Sequence, residues 1–380
     1  MKRVMIIAAV IVSCTGRDLT AENSPPIDRR ALVTRHSIEW NDVAGEIPLG
    51  NGEFAFNADG TGLQTFGGNT MSHWGWHSAP LPTGCAAADV PATGTLDKGR
   101  IVGPMRRATG RGALDRWMFQ NPHAMNLGRL RLVRADATAL ETKDIAHLAR
   151  KYDLWNGLQT SSFEVDGQAV RVQTCVHPVL DLVAVRVESA LLRQGRLVVV
   201  LDFPYPTVQG GPHWAGNWEH PEKHRSDMTM ADGSNRADIH RTADTSLYTV
   251  SIAWSEDGAF RKWPASATKK LAVMPEMSQH TFILSGRKSD LLEFVCGFAA
   301  RRLGQLPGVA QTQQATAEHW QQFWKTGGAI DLSQSKDPRW KELERRIVLS
   351  QYQMAAQSAG SWPIGVSGWR KPSSGGNAWD

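Results

Sequence analysis

Residues 47–66 read IPLGNGEFAFNADGTGLQTF, and this stretch decides the fold. Across residues 53–57 polar and apolar side chains alternate, which is the period of a half-buried strand. Asp59 and Gly60 follow, two residue types that tolerate positive φ in a tight turn. Residues 63–66 are again rich in apolar side chains, so the chain is expected to return there as a second strand. The stretch therefore predicts a β-hairpin.

The same pattern continues far beyond this hairpin. Further strands, several of them bounded by Asp-Gly turns, are predicted at residues 161–189, 195–203, 246–254, 270–275 and 280–285. Many short strands with few helices between them indicate a large antiparallel sandwich. The predicted fold class is therefore mainly β, with a sandwich domain over residues 27–288.

The hydrophobic period changes near residue 290. In residues 289–303, SDLLEFVCGFAARRL, apolar side chains recur at spacings of three and four after Ser289, which is placed to cap a helix. Residues 312–328, TQQATAEHWQQFWKTGG, repeat the pattern and close on Gly327 and Gly328. We therefore predict a helical linker over residues 289–336.

A last amphipathic helix is predicted from residue 337 to residue 359. Asp337 and Pro338 open it, because proline is well accommodated in the first turn of a helix. Its apolar stripe consists of Leu343, Ile347, Ser350 and Met354. A helix with such a stripe needs a surface to pack against.

The chain begins MKRVMIIAAVIVSC, two cationic residues followed by an apolar run too short to span a bilayer. This pattern predicts a signal peptide over residues 1–21 and a secreted or periplasmic protein. Residues 11–14, IVSC, also resemble a bacterial lipobox, which would lipidate Cys14 and give an outer-membrane lipoprotein. A buried N-terminal strand is the alternative. The sequence contains no second long apolar run, so no transmembrane span is expected in the mature chain.

Charge and cysteine content narrow the possible functions. The chain has 42 basic and 37 acidic residues, and residues 1–21 hold three of the former and one of the latter, so a net charge of +3 remains. These charges form no basic stripe, and nucleic acid is therefore not an expected partner. Cys85, Cys175 and Cys296 form neither a CxxC motif nor a zinc-type pair, and one disulfide or three free thiols are both compatible with them.

Tryptophan is unusually frequent, with 15 Trp against 11 Phe and 4 Tyr. Indole rings are large apolar platforms suited to stacking on the C–H face of a sugar. Two clusters lie in segments without strand or helix periodicity, where functional residues are common. The candidate substrate-binding residues are Trp214, Asn217, Trp218 and His220 in the first place, and Trp74, Trp76 and His77 in the second. The alternative for any single tryptophan is core packing.

Other kinds of site are not supported. His220 and His224 are four residues apart, but Pro221 interrupts the helix that would align their imidazoles on a metal ion. Nucleotide-binding glycine motifs and the GxSxG hydrolase motif are absent. No metal site and no cofactor are therefore expected. Among the carboxylates, Glu39, Glu53, Asp59 and Glu219 occupy plausible positions, yet spacing alone assigns no acid or base.

Residues 47–66 resemble the opening of six-hairpin glycosidases, and residues 319–363 look like the helical linker and first barrel helix of that superfamily, in particular of glycoside hydrolase families 65 and 95. The resemblance implies a β super-sandwich, a linker, and a six-hairpin helical (α/α) barrel that begins in residues 337–380. It also implies inverting chemistry by groups on the barrel. Those groups lie beyond the first barrel helix, so no catalytic residue is transferred to this sequence.

The sequence therefore predicts the N-terminal portion of a bacterial glycoside hydrolase or disaccharide phosphorylase that acts on oligo- or polysaccharides. With the barrel truncated, this chain alone is expected to be inactive. A stand-alone carbohydrate-binding sandwich without catalysis is the alternative. A purely structural sandwich that docks a partner barrel is the third possibility.

Overall fold

The computed structural model describes residues 26–90, 95–97, 100–102, 110, 112–136, 138–206, 216–218, 220–230, 235–263, 279–286 and 288–361. Four sequence predictions fall outside these ranges: the signal peptide at residues 1–21 with its lipidation site at Cys14, the strand at residues 270–275, and Trp214. Residues 362–380 are also outside them.

A nine-stranded antiparallel sheet forms the larger layer of the fold. Its strands are β1 (Ile38–Glu39), β10 (Ala146–Asp153), β11 (Leu158–Val165), β12 (Gln168–Val176), β13 (Leu182–Glu188), β15 (His224–Met230), β16 (Arg236–Ala243), β17 (Ser246–Trp254) and β20 (Leu291–Ala299). They are ordered β1-β10-β11-β12-β13-β20-β17-β16-β15, so β15 lies at an edge.

Smaller sheets face this layer. One contains β9 (Arg129–Arg134), β14 (Leu197–Asp202), β18 (Gly258–Lys262) and β19 (Thr281–Gly286), in the order β18-β19-β14-β9. A second contains β2 (Ile47–Gly50), β3 (Phe54–Ala58) and β4 (Thr70–Ser72). Two pairs complete the strands of the described ranges: β5 (Trp76–His77) with β8 (His123–Ala124), and β6 (Thr95–Asp97) with β7 (Arg100–Val102).

Helices are few in the described ranges. They are α1 (Arg29–Thr34), α2 (Gly112–Gln120), α3 (Ala190–Arg193), α4 (Val309–Thr326) and α5 (Trp340–Gln357), with 3₁₀ turns at Ala87–Asp89, Thr142–Asp144 and Pro221–Lys223. None of the described helices combines the length and the apolarity needed to cross a bilayer. The predicted fold class, mainly antiparallel β with a short helical part, is confirmed.

One continuous apolar core lies between the layers. It takes side chains from both, for example Val185 of β13 and Val199 of β14, and it includes Trp320 and Trp324 of α4. On the outer face of the large sheet a smaller cluster joins Val309 of α4 to β12, β13 and β20. Cys85, Cys175 and Cys296 are free thiols, which settles the alternative that the sequence left open.

The prediction of a helix at residues 289–303 is wrong, because Leu291–Ala299 forms strand β20. This strand pairs with β13 on one side and β17 on the other. Phe294, Val295, Cys296 and Phe298 are all buried, so both faces of the strand are covered. A strand buried on both faces has no period of two, and its apolar spacing imitates that of a helix. The linker helix of the structure is α4.

The hairpin predicted from residues 47–66 is also corrected. β3 pairs with β2 before it and with β4 after it, whereas residues 63–66 belong to the turn between β3 and β4. The turn-forming role expected for Asp59 is confirmed. Its carboxylate accepts hydrogen bonds from the main-chain N–H of Thr61 at 2.8 Å and of Phe66 at 2.6 Å. Burial raises the pKa of Asp59 to about 6, although these hydrogen bonds act against the shift.

Helix α5 lies directly on the turn between β2 and β3. A Cβ on Gly50 would come within 2.2 Å of the carbonyl oxygen of Ala356, and the N–H of Gly52 donates to the same oxygen at 2.9 Å. Gly52 has φ +93°, a conformation that side-chain-bearing residues rarely adopt. The hydroxyl of Tyr352 donates to the carbonyl oxygen of Pro48 at 2.5 Å. The two glycines therefore provide the surface on which the helix rests.

The first half of α5 is fixed by a buried carboxylate. Glu344 is fully buried and accepts hydrogen bonds from Nε of Arg35 at 2.7 Å and from the main-chain N–H of Leu332 at 2.6 Å. Nε2 of His36 lies 2.6 Å from the same carboxylate. Burial alone would raise the pKa of Glu344, but the hydrogen bonds from Arg35, Leu332 and His36 outweigh it and lower the pKa. One side chain thus joins the end of α1, the segment before α5, and α5 itself.

The opposite face of α5 is open. The predicted stripe lies on that face: Leu343 and Met354 are 54% and 62% exposed, and Ser350 is exposed too. The buried face consists instead of Glu344, Val348, Leu349, Tyr352 and Ala356. The sequence thus identified an apolar stripe correctly, and the structure adds a second face that binds the sandwich.

We predict that Gly50→Ala destabilises the protein by about 3 kcal/mol, because the new methyl group meets a main-chain carbonyl that cannot rotate away. Urea unfolding measures the change. Gly304→Ala is the matched control, since a Cβ at Gly304 meets nothing within 4 Å. Equal stability of the two variants would show that α5 is not seated on Gly50.

We predict that Glu344→Gln costs about 2–3 kcal/mol near neutral pH, because Arg35 loses its buried carboxylate partner and keeps only the partly exposed Asp331 at 2.9 Å. The pKa of Glu344 is lowered in the folded state, so this stabilisation is complete above the unfolded pKa of about 4.3 and is lost as the pH falls through the folded pKa. Urea unfolding of both proteins at pH 7 and at pH 3 checks the sign. A difference that grows toward acid would contradict the prediction.

Candidate functional site

The structure places the two predicted tryptophan clusters on one side of the sandwich. Trp74, Trp76 and His77 lie between β4 and the end of β5, in a segment that we call the tryptophan turn (residues 72–77). Asn217, Trp218 and His220 precede strand β15. The tryptophan turn is tight: the N–H of Gly75 donates to the carbonyl of Ser72 at 3.0 Å.

Trp74 has a structural role. Its indole N–H donates to Oδ2 of Asp181 at 2.7 Å, and the hydroxyl of Ser72 donates to the same oxygen at 2.5 Å. The ring packs against Tyr248, with 6.1 Å between ring centroids. Burial raises the pKa of Asp181, although both hydrogen bonds oppose the shift. Core packing, the alternative stated for any single tryptophan, describes Trp74.

Trp76 has the opposite character. Its side chain is 37% exposed, and its indole N–H donates to the carbonyl oxygen of His73 at 2.8 Å. Its polar atom is therefore satisfied by the protein, while part of the ring faces solvent. An oriented and exposed indole of this kind can stack on a sugar ring.

Sequence reasoning gave no role to Glu53, which lies beside this turn. Oε2 of Glu53 is 2.7 Å from Nδ1 of His73, and each side chain is about one-third exposed. The main-chain N–H and the hydroxyl of Ser361 donate to Glu53 at 2.6 Å and 2.9 Å. The Ser361 N–H is the main reason that the pKa of Glu53 is lowered. This role was not visible in the sequence because Ser361, the hydrogen-bond partner of Glu53, is 308 residues away in the chain.

His77 is buried and belongs to a different set of contacts. Its Nδ1 lies 3.0 Å from the hydroxyl of Ser246, and its Nε2 lies 3.3 Å from Oδ2 of Asp244. The hydroxyl of Tyr205 donates to the same Asp244 oxygen at 2.7 Å. Burial lowers the pKa of His77, and the charge of Asp244 only partly offsets this. His77 therefore has a structural role, and its side chain is too buried to contact a ligand.

The second predicted cluster joins the first through Tyr205. The main chains of Asn217 and Tyr205 pair through hydrogen bonds of 2.8 Å and 3.0 Å, and the Tyr205 ring lies 6.1 Å from that of His77. Trp218 lies under the guanidinium of Arg129, at 3.8 Å from Cζ to the ring centroid. This cation–π contact occupies one face of the indole.

The two histidines with metal-like spacing, His220 and His224, lie in different surroundings. His220 lies outside the sheet, with Nδ1 3.3 Å from Glu222, whereas His224 is the first residue of β15 and is buried. The 3₁₀ turn Pro221–Lys223 separates them, as expected for a proline inside the motif. Across the described ranges, no three potential metal ligands approach one another closely enough to hold an ion.

The candidate ligand-binding surface therefore consists of the exposed ring of Trp76 and the partly exposed side chains of Glu53 and His73. An aromatic face, a carboxylate and an imidazole can bind hydroxyl groups and the C–H face of a sugar. Acid–base catalysis is not assigned to them. Of the predicted residues that the structure describes, Trp76 is the tryptophan with the exposure that stacking needs.

We predict that Trp74→Ala lowers the free energy of unfolding by about 3 kcal/mol, whereas Trp76→Ala changes it by about 0.5 kcal/mol or less. The difference follows from the packing of Trp74 on Tyr248 and its bond to Asp181. Thermal and urea unfolding compare the two variants. A larger loss for Trp76→Ala would assign Trp76 to the core and remove it from the candidate surface.

Comparison with known proteins gives structural relatives only. No family model matches the sequence, and no match is found among curated proteins. A putative kojibiose phosphorylase from the human microbiome superposes with a TM-score of 0.50 at 12% identity, over 84% of this chain and 41% of its own length. A bacterial glucoamylase in complex with acarbose has a TM-score of 0.38 at 8% identity, over 59% of this chain and 35% of its own.

A family GH92 α-mannosidase from Bacteroides thetaiotaomicron has a TM-score of 0.27 at 7% identity, over 61% of this chain and 32% of its own length. Only the phosphorylase is similar enough to support an argument, and at that identity it concerns the fold alone. The chain spans less than half of each of these three proteins. The chain therefore shares its fold with part of the kojibiose phosphorylase.

Proposed function

We propose that this chain is the sandwich portion of a bacterial carbohydrate-active enzyme, an inverting glycoside hydrolase of six-hairpin type or a related phosphorylase. Its catalytic groups are proposed to lie on a helical domain to which α5 belongs. The fold shared with the kojibiose phosphorylase supports the class of enzyme. Oligosaccharides or polysaccharides are the proposed substrates.

The observation that carries this proposal is the double-sided character of α5. One face of the helix is sealed onto β2 and β3, and the other carries exposed Leu343 and Met354. Beside Met354 the surface sinks into an apolar groove of about 500 Å³ between the end of α4 and α5, lined by Phe323, Trp324 and Ala355 among others. An exposed apolar face next to a groove is typical of a surface that other elements cover. Further helices of the proposed catalytic domain would cover it.

The sugar contact proposed for the sandwich is the surface of Trp76, Glu53 and His73. It lies beside the C-terminal end of α5, since Ser361 binds Glu53 directly. Asn217 and Trp218 stand on the same side of the sandwich through their link to Tyr205. Trp214 and His220 remain candidates from the sequence alone.

Export is a further part of the proposal. The cationic start and short apolar run of residues 1–21 favour a signal peptide, and a secreted or periplasmic location suits an enzyme of polysaccharide breakdown. Processing at Cys14 would add a lipid anchor instead.

The test uses the chain tagged at its own gene and purified from its native cells. We expect hydrolysis or phosphorolysis of oligosaccharides, assayed on a panel that includes kojibiose, to co-purify with it, and NMR to show an inverted anomer as the first product. In the double variant Leu343→Asp/Met354→Asp that activity is expected to be lost while the circular dichroism spectrum stays unchanged. Leu247→Asp is the control, because Leu247 is 65% exposed at the start of β17, whereas α5 packs on β2 and β3.

Two outcomes contradict the proposal. Activity that survives in the α5 double variant would show that the exposed face of α5 carries no catalytic domain. Millimolar glycan binding by the purified chain, abolished by Trp76→Ala and accompanied by no activity in the native preparation, would favour the stand-alone carbohydrate-binding module.

A further inference from the structure

A stack of two imidazoles and one guanidinium lies at the edge of the large sheet. His224 begins the edge strand β15, and His280 directly precedes β19. Their ring centroids are 3.7 Å apart, at an interplanar angle of 29°. Arg241 of β16 lies beside them, and all three side chains are more than 90% buried. We call these residues the imidazole stack.

The hydrogen bonds of the imidazole stack require His224 to be neutral. An Nη2–H of Arg241 points at Nδ1 of His224 across 2.7 Å. A guanidinium can only donate, so that nitrogen must accept. If His224 were protonated at Nδ1, its N–H would face the N–H of Arg241 at 2.7 Å, and the hydrogen bond between them would be lost.

His280 is bound in a similar way. Its Nε2 lies 2.6 Å from the carbonyl oxygen of Pro221, so this nitrogen carries the hydrogen. Nδ1 lies 2.9 Å from the hydroxyl of Ser226, which itself accepts a hydrogen bond from Arg241. The serine hydrogen is therefore free to donate to Nδ1. Arg241 thus binds His224 directly and reaches His280 through the Ser226 hydroxyl.

The charged groups around the stack add to this requirement. Arg241 lies on β16, Lys262 ends β18, and Lys223 lies in the turn before β15, with its ammonium 5.6 Å from the Tyr205 ring. Neither Arg241 nor His224 has a carboxylate partner in the described part of the chain, and the carboxylate of Asp244 is bound by the hydroxyl of Tyr205. Arg225 and Asp227 pair with each other on the exposed face of β15.

Burial, together with Arg241, lowers the pKa of His224 to about 2 and that of His280 to about 4. In an exposed segment both histidines would titrate near pH 6.5. Folded pKa values below the unfolded ones mean that the open form binds more protons, so the contacts of the stack are at full strength above pH 6.5 and weaken as the pH falls below it.

The stack holds one of the most easily detached elements of the sandwich. β15 pairs with β16 alone, and four of its seven residues are exposed. The turn Pro221–Lys223 before it is fixed through the carbonyl of Pro221, which accepts from His280 and from Gln279. Opening this edge leaves the central strands paired and removes only Met228 of β15 from contact with the main apolar core.

We infer that the imidazole stack is an acid-sensitive latch, which releases residues 220–230 from the sandwich in mildly acidic conditions while the rest of the fold stays closed. The segment released includes the turn that follows Asn217 and Trp218. Acid would therefore alter one side of the surface that bears the candidate sugar contacts. The inference is independent of which reaction, if any, the protein catalyses.

Hydrogen exchange of the full chain at pH 7.0 and pH 5.0, corrected for intrinsic exchange, tests the latch. At pH 5.0 the opening constant of residues 224–230 is expected to rise about 30-fold for each histidine that is exposed on opening. Strands β13 and β20 are expected to keep their protection. Equal opening of β15 at both pH values overturns the inference. Loss of protection in β13 and β20 together with β15 also overturns it, since that result reports global unfolding.

The variant His224→Asn distinguishes protonation of His224 from other effects of acid on the protein. Asn Oδ1 stands where Nδ1 stood and can accept from Arg241, yet it takes up no proton, so the acid response is expected to fall about 30-fold. His240→Asn is the matched control, because His240 lies exposed on the neighbouring strand β16. An undiminished response in His224→Asn overturns the inference. Should that variant not fold, the wild-type comparison of β15 with β13 and β20 decides alone.

Discussion

The structure depends on the close approach of α5 to the turn between β2 and β3. Gly50 and Gly52 leave no Cβ between the helix and the sheet, and the carbonyl of Ala356 occupies the space that a side chain would fill. At such a distance the helix and the strands share one core, in which Tyr352 stacks near both Tyr152 and Trp320, with 5.0 Å between centroids in each case. The helix therefore belongs energetically to the sandwich, although its sequence places it after the linker.

Several buried charges are found where distant segments of the chain meet. Glu344 joins α1, the segment before α5, and α5. Arg150 of β10 donates to the carbonyls of Gly45 and Ala58 at 2.6 Å and 2.9 Å, and thereby binds the loop before β2 and the end of β3 to the large sheet. Burying a charge is costly unless hydrogen bonds satisfy it, and here main-chain groups supply many of them. These hydrogen bonds depend on geometry, so each buried charge fixes how its segments are placed relative to one another.

Much of the fold could be predicted from the sequence because the information is local. Alternation and Asp-Gly turns identified the strands near Asp166 and Asp257, and the periodicity of α5 identified its exposed stripe but not the face that binds the sandwich. The failures concern residues whose surroundings come from elsewhere in the chain. β20 is apolar on both sides because α4 covers the outer face. Leu63 and Phe66 are apolar although they lie in a turn, and Leu63 is fully buried there. No local pattern records either fact.

The candidate surface shows the same limit at the scale of single residues. Trp74 and Trp76 are two positions apart and chemically identical, yet Asp181 holds Trp74 against the core, while Trp76 donates to the carbonyl of His73 with part of its ring exposed to solvent. Only the contacts distinguish them. Glu53 follows the turn on which α5 rests, and Ser361 follows that helix, so the glycines that seat the helix also bring Glu53 to its end. The glycine-containing motif at residues 49–52 thus positions the candidate surface without contributing a functional group to it. In such a motif, the absence of side chains is the feature on which the fold and the site both rest.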